Sequence, residues 1–300
     1  MGNNVTAGAT AAAALAFLGN AYLSALAPTV SPPAFAQVKP PNPAAPAPVD
    51  IVVGSDGWLF PGWDYLVDER PGQTRAALEQ AVTLSTQARQ YSPRVVLLLI
   101  PNKARFHIDR LPPDRAAWTR HHSGGLQKLA DDLRQRGLEV IVAEPTFYPR
   151  DAHWTAEAGE AAASKVAEHL AALRRPKGPA LPVPGWVQER RYADLANLAR
   201  SRGDLRWEQD VFRRRDYVAP LPGIPQVEIV GNSLIDTYYG FPQEISRQLG
   251  VPVVHRVRYE GAGPWHAMQE FLKAGVKRPA VIWALQETSF SAFGPASLQP

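Results

Sequence analysis

The chain has 300 residues, 45% apolar and 20% charged, ordinary for a globular protein and enough for one large domain or two small ones. It contains no cysteine, which excludes a disulfide framework, a thiol nucleophile and a thiolate metal site. A net charge of +4 and a pI near 9.4 favour an acidic polymer or an anionic surface as partner. Arg213 to Arg215 is the one dense basic run, without an aromatic-basic module, so no nucleic-acid partner is expected.

From Val5 to Ala27 the chain is almost wholly apolar and small, and no charge precedes Lys39. Ala34-Phe35-Ala36 then offers a small-x-small cleavage pattern before Gln37. Residues 1–37 read as an export signal or, because no basic residue precedes the apolar run, as an uncleaved membrane anchor. Residues 38–50, VKPPNPAAPAPVD, read as a proline-rich tether. The chemistry is expected to start after it, in a folded domain over 51–300.

In that domain IVVGSDGWLF reads as a short strand and a turn, and residues 74–90 carry apolar positions at helical spacing. RVVLLLIP is a continuous apolar run of strand length, as expected of a parallel strand covered on both faces. A helix over 125–136, the strand LEVIVAEP and a helix over 156–173 follow. Strand QVEIVG, helix 241–249, strand PVVHRV, helix 264–274 and strand AVIWAL continue the alternation. Such alternation predicts an α/β fold, a doubly wound sandwich on a mostly parallel sheet. Residues 176–225 interrupt it, and their Arg-rich middle reads as a helical insertion over the sheet edge.

Chemistry in an open α/β sheet gathers at the carboxyl ends of the strands. VEIVGNS places Ser233 just beyond a buried strand, and a serine hydroxyl needs a base, which in turn needs an orienter. DAHW, with Asp151 and His153 two positions apart at a helix entry, supplies both. Each piece also has a purely structural reading, Ser233 as a turn cap and Asp151 as a helix-start acid. Their joint position at two strand ends favours the catalytic one. No metal is expected: there is no H-E-x-x-H pattern, and His121-His122 in TRHHSGG reads as a solvated loop.

Taken in order, VVGSDGWLF, LLLIPNKARFHID, DAHWT, IVGNSLIDTYYG, EGAGPWHAMQEFL and AVIWALQE resemble the SGNH hydrolase-like domain of the AlgJ/AlgX-type alginate O-acetyltransferases, over about residues 51–290. The resemblance implies a three-layer α/β/α sandwich. In ordinary SGNH esterases the serine block comes first, whereas here Asp151 and His153 precede Ser233, the permuted order of the acetyltransferases. Two departures stand out: the serine block reads Gly231-Asn232-Ser233 without an acidic residue, and no carbohydrate-binding module follows residue 290, as in the shorter AlgJ-like form.

Carried over residue by residue, the resemblance makes Ser233 the acetyl-accepting nucleophile, His153 its base and Asp151 the partner of His153. It implies an exported, periplasmic protein that needs no cofactor. Acetyl groups would come from a membrane-embedded acyltransferase and go to a hydroxyl of an exported polysaccharide, alongside other polysaccharide-export proteins. The Ser233 N–H and the Asn102 side chain are candidates for an oxyanion hole, and Trp154, Tyr239, Trp283 and Gln286 for contacts to a sugar ring. For the tryptophans, burial in the core is the competing expectation. Lys103 and Arg213 to Arg215 are candidates for attracting an anionic polymer, with a solvated face as the alternative. The same triad with water as acceptor would be a carbohydrate acetylesterase, and an inactive one a scaffold or polysaccharide-binding component.

Overall fold

The strand β3 (Arg94–Ile100) lies near the middle of the sheet because both faces of its apolar run are covered. Val96, Leu98 and Ile100 enter one core cluster, and Val95, Leu97 and Leu99 enter the other. In a computed structural model that describes residues 50–65, 71–122, 124–175, 182–216, 221, 223–259 and 261–291, the chain is a three-layer α/β/α sandwich. The export segment and all but the last residue of the tether lie outside the described residues. Among the described residues, no helix is long and apolar enough to cross a membrane.

The elements in chain order are β1 (Ile51–Val53), β2 (Leu59–Pro61), α1 (Pro71–Ala88), β3, the single helical turn α2 (Lys103–Phe106), α3 (Pro113–His121), α4 (Gly125–Gln135) and β4 (Glu139–Val142). There follow α5 (Ala156–His169), β5 (Trp186–Arg191), α6 (Asp194–Ser201), β6 (Asp210–Arg215), β7 (Val227–Gly231), α7 (Phe241–Leu249), β8 (Val253–Val257), α8 (Gly263–Ala274) and β9 (Ala280–Gln286). The central sheet runs β4-β3-β9-β7-β8, every neighbouring pair parallel. Helices α5 and α7 cover one face, and α1, α4 and α8 the other. Each large aliphatic side chain fully buried between these layers contributes roughly 1.5–3 kcal/mol. The chain leaves β3 toward one edge and β7 toward the other, so the crevice expected at a change of winding direction opens beyond the carboxyl ends of the central strands.

Two sequence expectations are corrected. The described residues of 176–225 are not a helical excursion: β5 and β6 pair antiparallel from Trp186 opposite Arg215 to Arg191 opposite Asp210, and between these two strands only α6 is helical. The arginines and glutamates that suggested helix are paired around this hairpin, as in Arg215 with Glu160, while Phe212 is driven wholly into the core. Likewise His121 ends α3 instead of lying in a loop, and the ring of His122 packs on Trp118 at 4.2 Å.

After β4 the chain returns toward the crevice as a small irregular hairpin. Phe147 bridges Trp154, the Thr155 N–H donates to the Thr146 carbonyl (2.9 Å), and the Tyr148 N–H donates to the His153 carbonyl (3.2 Å). Its tip is held by Lys103, 1% exposed, whose ammonium donates toward the carbonyls of Leu59 (2.6 Å), Tyr148 (2.8 Å), Pro149 (2.7 Å) and Asp151 (2.9 Å). Burial pulls the Lys103 pKa down, but four short oxygen contacts leave no place for an amine lone pair and hold the group as the cation. The rings of Trp58 and Phe60 close over it at 5.1 and 5.3 Å. Lys103 is thus an internal clamp and does not reach solvent to attract a polymer. Lys103→Met keeps the length of the side chain but takes the donor from four carbonyls, of which those of Tyr148 and Pro149 keep a backbone N–H, and should lower the unfolding free energy by about 2–4 kcal/mol in urea titrations. Unchanged stability would show that the clamp is not holding the loop.

Candidate active site

All five residues of β7 are buried, and the strand delivers the chain to the crevice at Gly231. A Cβ there would lie 3.1 Å from the Cβ and carbonyl oxygen of Ala284 on β9, so a side chain would push the serine loop off the neighbouring strand. Asn232 follows as the cap of a 3-10 turn, its Oδ1 accepting the Leu234 N–H at 3.2 Å. An amide therefore does the capping here without an acidic residue. Ser233 opens the turn and is half-buried, leaving its hydroxyl between the turn and the hairpin that carries Asp151 and His153.

The Asp-x-His spacing acts locally before it acts on the serine. Asp151 Oδ1 accepts the backbone N–H of His153 at 3.0 Å, an Asx-turn, and lies 2.6 Å from Nδ1 of the same residue. A carboxylate only accepts, so Nδ1 carries a proton and the other nitrogen of a neutral ring presents a lone pair. That nitrogen, Nε2, lies 2.7 Å from Ser233 Oγ. The structure therefore brings Ser233, His153 and Asp151 into one continuous hydrogen-bonded chain.

Asp151 is wholly buried. Burial alone would raise its pKa, but the His153 charge and hydrogen bond, then Arg191 and the Asp194 N–H, outweigh it and hold the carboxyl well below the ordinary range. Burial alone would likewise lower the pKa of His153, and the Asp151 carboxylate, followed by Asp194, reverses that and raises it above the ordinary histidine value.

Two of these groups, Arg191 and Asp194, come from the hairpin insertion, and sequence reasoning missed both. The start of α6 is turned onto the Asp151 loop. The Asp194 N–H donates to Asp151 Oδ2 (3.0 Å), and the Leu195 and Ala196 N–H groups donate to the Arg150 carbonyl (3.1 and 3.2 Å). The Arg191 guanidinium lies over the Phe212 ring at 3.9 Å, with one nitrogen 3.7 Å from Asp151 Oδ2. The only motif-like signal for these two residues is a short charged stretch in an apparent insertion, which names no partner forty residues away.

The other expected site residues separate clearly. Tyr239 is at the site: its ring stacks on His153 at 4.9 Å with an interplanar angle of 18°. Trp154 is 0% exposed and packs against Phe241 in the core on the α5 side. Trp283 is equally buried but on the opposite face, its indole N–H donating to the Pro264 carbonyl at 2.9 Å. Neither tryptophan offers a face to a sugar. Asn102 is buried, and its side-chain amide donates to the Asp64 carbonyl (3.3 Å) just beyond β2. Gln286 sits half-buried at the carboxyl end of β9. Arg213 is partly exposed with its guanidinium on the Trp186 ring at 4.7 Å, and Arg215 pairs with Glu160 at 2.8 Å.

Asp151, His153 and Asp194 bring one possible metal-ligand atom each within 4.8 Å of one another. Their chemistry argues for a proton at the centre. The 2.6 Å Asp151 to His153 contact needs a hydrogen on Nδ1, and a cation would have to take that position.

Gly159 on α5 fixes where Tyr239 sits, because a Cβ there would lie 2.8 Å from the Tyr239 carbonyl oxygen. A helix-interior Gly→Ala change ordinarily stabilises by about 1 kcal/mol. Gly159→Ala should instead destabilise by roughly 1–3 kcal/mol, because backbone must move to admit the methyl group. Thermal and urea unfolding of the variant check the sign, and a stabilised protein would refute the close approach.

Comparison with known proteins gives a consistent placement. The family model described as "SGNH hydrolase-like domain, acetyltransferase AlgX" matches residues 51–287. No curated protein sequence matches significantly. Among solved structures, the O-acetyltransferase domain of Pseudomonas putida AlgJ superposes with a TM-score of 0.64 at 21% identity, covering 80% of this chain and 92% of that one. Pseudomonas aeruginosa AlgX superposes with a TM-score of 0.57 at 15% identity, covering 83% of this chain and 68% of that one. At such identities the two structures speak for the fold, and the family rests on the match spanning nearly all of the folded chain. The chain belongs to the AlgX-type SGNH hydrolase-like acetyltransferase family.

Proposed function

We propose that this protein is an O-acetyltransferase that places acetyl groups on hydroxyls of an exported polysaccharide through an acetyl-serine at Ser233. The observation that carries the reading is the Ser233–His153–Asp151 chain, with contacts of 2.7 and 2.6 Å at the carboxyl end of the sheet. Family membership supplies the reaction class, an acyl transfer.

In the first half-reaction Ser233 Oγ attacks the carbonyl carbon of an acetyl donor while His153 Nε2 takes the hydroxyl proton. The donor's carbonyl π bond opens to an oxyanion. When it re-forms, the bond to the leaving group breaks and His153 returns the proton to that group. In the second half-reaction a sugar hydroxyl loses its proton to Nε2 and attacks the acetyl-serine, and Ser233 leaves with the proton restored. Asp151 keeps its own charge throughout and stabilises the imidazolium that forms twice.

The oxyanion is best met by the Ser233 N–H, at the start of a turn where backbone donors lack an intrahelical partner. The Tyr239 ring covers one face of His153 and holds the imidazole plane against the serine. Acetyl groups would reach the site from a membrane-embedded acyltransferase, with no resident cofactor and with other export proteins nearby. On this reading the protein works in the periplasm, delivered by a cleaved signal or held by its N-terminal segment. The polymer, alginate or another, is read out by the acceptor in the assay below.

Incubation with a small acetyl ester should add one acetyl group to the peptide containing Ser233, detected by mass spectrometry. Ser233→Ala and His153→Ala should each lower ester turnover by roughly 10³-fold or more, and the double variant by little beyond either alone. An added oligosaccharide acceptor should gain mass if the enzyme transfers, whereas release of acetate alone identifies an esterase. An unlabelled Ser233 together with a fully active Ser233→Ala variant would end the catalytic reading.

A further inference from the structure

We propose that Asp194 is a positioning residue of this site: its carboxylate stands against Nδ1 of His153 beside that of Asp151, making the base a histidine held between two carboxylates. The inference deepens the reading of His153 as general base and rests on it. His153 Nδ1 lies 2.6 Å from Asp151 Oδ1, in a hydrogen bond, and 3.1 Å from Asp194 Oδ2, in ion-pair contact.

The two carboxylates are not equivalent. Asp151 has no exposed side-chain surface, whereas the Asp194 side chain is 46% exposed. Asp151 is held on all sides, by the His153 and Asp194 backbone N–H groups on its two oxygens and by Arg191 at 3.7 Å. Asp194 is held by the backbone of α6 and by Arg191 at 3.8 Å, with its remaining surface in water. The inner carboxylate sets the tautomer, and the outer one adds negative charge beside the same nitrogen from a position that solvent reaches.

The charges facing the imidazole come from four directions. Asp151 lies on its own loop and Asp194 on α6, and both favour the imidazolium. Arg191 on β5 faces both carboxylates and weakens their field. The Lys103 cation, on the loop side, is bound to the Asp151 carbonyl. Tyr239, stacked on the ring, is kept a neutral phenol by burial and by the Asp151 charge, which raise its pKa well above the ordinary value. Removing the Asp194 charge therefore subtracts from the stabilisation of protonated His153 while leaving the geometry that Asp151 enforces. Because a base works deprotonated, the rise of activity with pH follows the His153 pKa, and losing the Asp194 charge should move that rise to lower pH.

Asp194→Asn tests this, because its backbone N–H still reaches Asp151 Oδ2. In the full chain labelled with ¹⁵N-histidine, with the His153 signal assigned through His153→Gln, the midpoint of His153 should fall by about 0.5–1.5 pH units in Asp194→Asn. Asp194→Glu should restore most of the shift. The acidic limb of ester turnover should move down by the same interval. An Asp194→Asn protein that unfolds like wild type but keeps the wild-type His153 midpoint would overturn the proposal. So would a purely structural loss, with activity lowered equally at every pH and no shift of the limb. The titration stands apart from the acetyl-serine chemistry: failure to label Ser233 would remove the proposed reaction, while the His153 midpoint would still decide the role of Asp194.

Discussion

An ammonium taken out of water must find oxygen partners for its three protons, and Lys103 finds four carbonyls at the end of the central strand β3. They belong to two segments distant in sequence, the end of the β1–β2 hairpin at Leu59 and the loop 148–151. An irregular loop has no ladder of its own to satisfy its carbonyls: those of Tyr148 and Pro149 each accept one backbone N–H, from Asp151 and Leu59, whereas that of Asp151 takes its donor from the cation, and a buried carbonyl left unpaired costs free energy. The cation removes that cost and in doing so fixes the backbone from which Asp151 projects. The Leu59 N–H closes the same junction by donating to the Pro149 carbonyl at 2.9 Å. The geometry at Ser233 thus depends on a charge on the far side of the loop that never meets substrate.

From that fixed backbone, spacing does the next step. Residues two apart on a non-helical segment project to the same side, whereas three apart is the spacing of a helical turn. Asp151, Ala152 and His153 form bends, not helix, and the Asx-turn ties Asp151 Oδ1 to the backbone and the ring of His153 at once. The helix begins only at Ala156, capped by Thr155, whose Oγ1 accepts the Ala158 N–H at 3.2 Å. One short stretch therefore contains both a pre-organised acid-histidine pair and an ordinary helix start. The permuted order of blocks costs nothing, because parallel strands deliver the β4 and β7 loops to the same edge of the sheet whichever comes first in the chain.

How much of this was legible follows from the range of the interactions. The central strands and most helices were readable because their patterns are local: the run at 94–100 is apolar without interruption, and the helix at 241–249 keeps one buried face. Ser233, His153 and Asp151 were readable because each stands next to such an element. The arginine-rich segment was misread because charge composition alone does not separate helix from a hairpin whose charges are paired across and beneath it, as Glu189 is with Arg214. Trp154 and Trp283 are candidates in the sequence because they lie near strand ends. Proximity in sequence does not say which way a side chain turns, and both tryptophans turn into the core. Lys103 reads as a surface charge until its four carbonyls are assembled around it.

The misread insertion also explains why the base keeps its form. An acid-histidine pair on a loop between β4 and α5 has backbone support on one side only, from Lys103. The hairpin supplies the other side through three N–H groups at the start of α6, one on Asp151 and two on the carbonyl of Arg150. Arg150 is itself tied to the base of the hairpin, with its Nε 2.8 Å from Asp210 Oδ1. Donors at a helix start favour a carboxylate both as hydrogen-bond partners and through the helix dipole. The same turn that completes the shell of Asp151 carries the Asp194 side chain back to His153 Nδ1. A segment with no role in the central sheet thereby sets the charge around the imidazole, and variation within it is a route to tuning the base without touching Ser233, His153 or Asp151.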